Sequence, residues 1–235
     1  KKLNKIENCN FSKKIDFNYL KKYIKQIPFQ LTNSQKNVIR EIIEDLQSNH
    51  QTNRLIQGDV GSGKTIVSFI AMIAVSSDKK QSCLMAPTDI LARQHYNNFI
   101  NFFPELKDQS ILLTASVNDS EKKIILEKIK DGSVYFIFGT HALFQQAVIF
   151  NPLSLAVLDE QHRFGVNQRK ALILKGQYCD IIMMSATPIP RTLAVSIYGD
   201  LDVSTISDVY NSKKVIHSKL IKENGFYNIR EEIEH

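Results

Sequence analysis

Cysteine is scarce in this sequence: Cys9, Cys83 and Cys179 lie far apart and show no C-x-x-C spacing. That excludes a disulfide framework and a cysteine zinc site, and it points to a reducing, cytoplasmic setting. Long apolar runs are also lacking, and the longest is too short to span a bilayer, so no membrane partner is expected. The first residues are polar and Lys-rich, unlike a secretory signal. The chain begins at Lys1 rather than Met, as expected for a stretch of a longer protein. No internal repeat or low-complexity tract interrupts it.

What is present is ordinary globular composition. The chain has 235 residues, 43% hydrophobic and 23% charged, enough for one large domain or two small ones. The net charge of +6 suits a nucleic-acid partner. An abundance of Lys, Asn and Ile from a biased genome would give the same balance, so charge does not decide the matter.

The most informative stretch is Gly58-Asp59-Val60-Gly61-Ser62-Gly63-Lys64-Thr65. It fits G-x-x-x-x-G-K-[ST], between a short apolar strand at 54–57 and an apolar helix at 66–75. Its glycines let the backbone curl so that N–H groups point at phosphate oxygens, and the helix N-terminus adds positive potential. Lys64 is placed to reach the β- and γ-phosphates, and the Thr65 hydroxyl to ligate Mg²⁺.

Residues 1–25 hold eight lysines against Glu7 and Asp16. Ile15, Tyr19, Leu20, Tyr23 and Ile24 recur at helical spacing, which predicts a short amphipathic helix or linker with a solvated lysine face. After Pro28-Phe29, a helix carries Val38, Ile39, Ile42, Ile43 and Leu46 on one side. Thr32 and Gln35 form T-x-x-Q, a capping box. Gln35 therefore has two readings. It caps the helix, or its amide reads an adenine edge while Phe29 or Leu31 packs on the base.

Further buried strands are expected at 82–86, 111–114, 134–138, 155–158 and 180–184, with helices at 89–103 and 121–130. This alternation predicts an α/β fold, a mostly parallel sheet with helices on both faces. Pro87-Thr88, Gly139-Thr140-His141, Asp159-Glu160 and Ser185-Ala186-Thr187 each fall at a strand's C-terminal end, where such sheets bind ligands. Asp159 is placed to hold the Mg²⁺ that Thr65 touches, and Glu160 to orient or deprotonate an attacking water.

Asp159-Glu160-Gln161-His162 has the form of the D-E-x-H box of superfamily 2 helicases. Ala86-Pro87-Thr88, Gly139-Thr140-His141 and Ser185-Ala186-Thr187 look like helicase motifs Ia, Ib and III, in the right order. The strings 58–65, Asp159-Glu160-Gln161-His162-Arg163-Phe164-Gly165 and Thr187-Pro188-Ile189-Pro190-Arg191-Thr192-Leu193-Ala194 closely resemble the RecG family, bacterial ATP-dependent helicases that remodel branched DNA. The alternative is the double-stranded DNA translocase motor of the transcription-repair coupling factor family, which usually has Glu where this chain has Gln161 and an aromatic where it has Ser62; both positions favour the RecG family.

The resemblance implies a P-loop NTPase domain of RecA type over 28–208, using ATP and Mg²⁺. Residues 1–27 would be a helical linker from an upstream wedge domain, and 209–235 the start of a connection to a second RecA-like lobe that carries the arginine finger. Gln35 gains weight as an adenine reader, alongside Phe29 and Leu31. Pro87, Thr88, Arg93, Gly139, Thr140 and His141 would contact branched or duplex DNA through its phosphates, independent of base. Gln161, His162, Ser185 and Thr187 would couple nucleotide state to DNA grip. Two other classes stay open on residues alone. A P-loop small-molecule kinase would need a lid with paired arginines, and a nucleic-acid-binding module with a decayed ATP site would not need Lys64, Thr65, Asp159 and Glu160 intact.

Overall fold

The structure, a computed structural model, describes residues 12–159, 179–187 and 201–207. Five helices lie within these residues: α1 (Phe17–Ile24), α2 (Asn33–Gln47), α3 (Lys64–Ser76), α4 (Asp89–Phe102) and α5 (Asp119–Asp131). The strands are β1 (Asn53–Gly58), β2 (Gln81–Met85), β3 (Ser110–Leu113), β4 (Phe136–Gly139), β5 (Leu153–Leu158), β6 (Asp180–Ser185) and β7 (Asp202–Ile206). They form one sheet in the order β3-β4-β2-β5-β6-β1-β7, and every pairing is parallel.

The six strands expected from the sequence are all present. The seventh, β7, was not expected. Its Asp-Val-Ser-Thr-Ile pattern is only partly buried, because it forms the sheet edge beside β1 and needs one covered face rather than two.

Alternate strand residues feed two cores. Ile56, Leu84, Phe136, Phe138, Val157 and Met184 pack under α1–α4, while Leu55, Cys83, Ile137, Ala156 and Met183 face the α5 side. Covering helices bury both faces, so the central strands are apolar throughout rather than alternating. Local signals set the helix starts. Asp16 accepts from the Asn18 and Tyr19 amides at α1, and Thr32 with Gln35 closes the capping box at α2.

Within 12–27, Ile15, Leu20, Tyr23 and Ile27 are buried in the α1–α4 core. Lys14, Lys21, Lys22 and Lys25 are exposed, as the solvated face requires. Lys13 is the exception. It is 2% exposed and pairs with the equally buried Asp180 at the start of β6. Burial raises the Asp180 carboxyl above its ordinary pKa, and the Lys13 ammonium pulls it back down.

Lys13→Met should therefore leave a buried carboxylate without its cation and lower unfolding stability by about 3–5 kcal/mol at neutral pH. The deficit should shrink on acidification. A carboxyl whose folded pKa is raised takes up its proton first in the folded state, so stability recovers as pH falls towards the ordinary Asp range of about 4. Urea unfolding at several pH values checks this; a pH-independent deficit would contradict it.

A second polar staple ties α2 to the sheet edge. Arg54 on β1 donates to Ser204 Oγ of β7 (2.7 Å) and to Glu41 Oε2 (3.1 Å), and pairs with Asp45. Burial works against its charge, but Asp45, Asp202 and Glu41 outweigh it and hold the pKa above normal. Among the described residues, no helix is long and apolar enough to cross a membrane. Cys83 and Cys179 are free buried thiols, and burial raises Cys83 to about 12, which leaves it protonated and inert.

Candidate functional site along one sheet edge

Because every strand runs the same way, all strand ends that carry polar motifs meet at one edge. The strand order divides that edge. On one side β1, β6 and β5 are neighbours and bring together the Gly58–Thr65 loop, Ser185 and Asp159. On the other, β2 and β4 are neighbours and bring together Pro87, Thr88, Gly139, Thr140 and His141. This strand order is what sets the expected nucleotide residues apart from the expected DNA residues, and the order itself was not readable in the sequence.

On the first half, β1 leads into a turn in which the Ser62 amide donates to Asp59 O (3.1 Å). Gly61 and Gly63 have φ of +84° and +85°, a left-handed conformation that L side chains rarely adopt. Gly63 is also the N-cap of α3 and supplies no side-chain cap, so the first amides of that helix are left for an external acceptor. A Cβ on Gly63 would run into Gln35 Nε2. Lys64 Nζ donates to the loop carbonyls of Gly58 (2.6 Å) and Asp59 (2.9 Å). Ser62 Oγ is buried and has no hydrogen-bond partner among the described residues. Uncapped amides, an ammonium and an unmet hydroxyl in one loop fit a polyphosphate.

Gln35 is 3% exposed, and both its side-chain oxygen and its nitrogen are hydrogen-bonded. Its Oε1 accepts from the Thr32 amide (2.9 Å), and its Nε2 donates to Ser62 O (2.8 Å). The capping reading is thus present, together with a direct bond to the phosphate loop that sequence reasoning missed. Phe29 is half-buried with its ring edge-on to Phe102, 6.0 Å between centroids, and Leu31 packs against the same core.

Asp159 follows β5 directly, and its amide donates to Met85 O (2.9 Å). Its Oδ2 lies 2.7 Å from His95 Nε2 of α4. No motif pointed to this contact. The available signal was that His95 falls on the buried face of α4 with Ala92 and Phe99. At the end of β6, Ser185 Oγ accepts from the Thr187 amide (3.2 Å) and meets its hydroxyl (3.0 Å). Glu160, Gln161, His162, Arg163 and Arg191 lie outside the described residues.

On the second half, Thr88 is exposed and caps α4 by accepting from the Leu91 amide (3.3 Å). Arg93 is exposed one turn later, with Nη2 3.5 Å from Ser116 Oγ. Thr140 is only 1% exposed, and its hydroxyl oxygen accepts from the Ala142 amide, while His141 beside it is exposed.

The DEAD/DEAH box helicase family matches this chain over residues 32–195, from the start of α2 past β6. This chain belongs to the DEAD/DEAH box helicases. Its similarity to ATP-dependent DNA helicase RecG of Aquifex aeolicus (strain VF5) is 45% identity over 225 residues, covering 93% of this chain and 28% of that protein. RecG of Streptococcus pneumoniae serotype 4 is 49% identical over 196 residues, covering 83% and 29%. A solved structure of RecG bound to a three-way DNA junction matches with TM-score 0.81 and 39% identity, over 95% of this chain and 30% of that one. The fold of this DEAD/DEAH helicase chain is that of a RecA-like helicase lobe. The chain spans about three-tenths of the length of the relatives it matches.

Proposed function

We propose that this chain is the first, ATP-binding motor lobe of a RecG-type DNA helicase that remodels branched DNA in recombination and repair, in the cytoplasm. The observation that carries the reading is the division of one sheet edge into a phosphate-loop half and a DNA-motif half. The similarity to RecG helicases over most of the chain supports DNA rather than a small-molecule acceptor as the partner. A second RecA-like lobe and a wedge domain would be partners within the same protein.

In this reading, the α3 amides and Lys64 bind the ATP phosphates, and Ser62 Oγ gains a partner that the described residues do not give it. Thr65 and Asp159 hold Mg²⁺. Mg²⁺ is usually held by one or two protein oxygens together with substrate phosphates and water, and a hydroxyl with a carboxylate suits that habit. Bound there, the ion would supply charge neutralisation to the phosphate groups. Glu160 orients the attacking water. Gln35, tied to Ser62, senses the nucleotide side, with Phe29 and Leu31 beside the base. Gln161, His162, Ser185 and Thr187 pass the nucleotide state towards the DNA half.

Thr88 and Arg93 contact DNA phosphates directly, and Pro87 and Gly139 shape the two loops. With the Thr140 hydroxyl buried, the second loop's contact runs through His141 and the neighbouring backbone. Thr88→Ala in the full-length protein should weaken binding to three-way junctions several-fold, by a similar factor for unrelated sequences, because phosphate contacts carry no base information. Fluorescence anisotropy on two junctions of different sequence checks this, with ATP turnover measured with and without each junction. A loss confined to one sequence, or turnover indifferent to DNA, would overturn the reading.

A further inference from the structure

We propose that His95 is a positioning residue for the metal-holding carboxylate of Asp159; this rests on the reading of the edge as an ATP site. A carboxylate only accepts hydrogen bonds, so at 2.7 Å from Oδ2 the Nε2 of His95 must carry the hydrogen. The pair is nearly dry, with side-chain exposures of 10% and 16%. His95 is the one partner of this carboxylate among the described residues.

The donor stands on a fixed helix face, and its other ring nitrogen, Nδ1, is buried with no hydrogen-bond partner among the described residues. His95 sits on the inner face of α4, between Ala92 and Phe99, both with no exposure. The Phe99 ring is locked against Phe69, Phe136 and Phe138 at centroid distances of 5.1, 4.7 and 5.2 Å. The Asp159 backbone is tied to β2 by the hydrogen bond its N–H donates to Met85 O. What remains free is the carboxylate's rotation about its own side-chain bonds. The bond from His95 restricts that freedom by engaging Oδ2; Oδ1 takes no hydrogen bond from the described residues and is the oxygen that would serve a metal or its water. Outer-shell donors of this kind orient metal-binding side chains, and their loss typically costs about 10–100-fold in metal affinity or activity.

The test compares His95→Leu, which keeps apolar bulk but has no donor, with His95→Gln, whose side-chain amide restores one. In the full-length protein, the binding of a fluorescent ADP analogue is titrated at rising Mg²⁺ and again in EDTA. His95→Leu should need about 10–100-fold more Mg²⁺ to reach tight binding, with affinity in EDTA unchanged. His95→Gln should return to within a few-fold of the unsubstituted protein. An unchanged Mg²⁺ requirement in His95→Leu overturns the proposal. So does an equal loss in EDTA, which marks a packing defect, or a failure of His95→Gln to recover. If the unsubstituted protein shows no Mg²⁺-dependent nucleotide binding, the ATP-site reading falls and this role with it. That outcome is distinct, because it appears before any substitution is made.

Discussion

A protein consisting of residues 1–235 alone should turn over ATP roughly 10³–10⁵-fold more slowly than one that also carries a second RecA-like lobe. Lys64 is in the nucleotide half. Of the described arginines, Arg54 is committed to Asp45, Glu41 and Ser204, Arg93 lies on α4 beside Ser116, and Arg40 lies exposed on α2. An arginine finger supplied across an interface is worth that factor in related P-loop enzymes. Nucleotide binding should suffer less than turnover, because the phosphate loop lies wholly within this stretch. Steady-state turnover and nucleotide affinity, measured on both proteins, separate the two. Near-equal turnover would mean that the catalytic set is complete within these residues.

Lys64→Ala is the substitution with the largest expected effect on chemistry. Deleting one preorganised donor aimed at developing charge costs about 10²–10³ in turnover, and a formal positive charge belongs at the upper end. Lys64 is half-buried at the loop mouth and donates to the Gly58 and Asp59 carbonyls of its own loop. Lys64→Arg should not rescue, because the planar guanidinium does not fit the place of a compact ammonium held by two carbonyls. A melting curve beside the turnover assay distinguishes lost chemistry from lost fold. Turnover within a few-fold of the unsubstituted protein would remove Lys64 from the phosphate site.

The contrast between Gln35 and His95 shows how far the sequence could be read. Thr32 and Gln35 stand three residues apart, and the capping box they form is a local event, so it was legible. The second bond of Gln35, to Ser62, spans 27 positions and was not. His95 and Asp159 are 64 positions apart, and the only trace of their meeting was a polar residue on an apolar helix face. Thr140 shows the opposite case. Its place after β4 was legible, but its burial was not, because that depends on how the turn at 141–144 folds back over it.

The sequence by itself determined the alternation of strands and helices, the helix caps, the phosphate loop and the position of each polar motif at a strand end. Each is encoded within a few residues, by side-chain period, by capping partners or by glycine backbone freedom. Tertiary structure alone decided the strand order, and with it the two halves of the site edge, the edge strand β7, and the Lys13–Asp180 pair across 167 positions. Parallel strands are joined by crossovers that fix no neighbour locally. Which strands lie side by side is settled by burying both faces of the sheet at once, a property of the whole chain rather than of any segment.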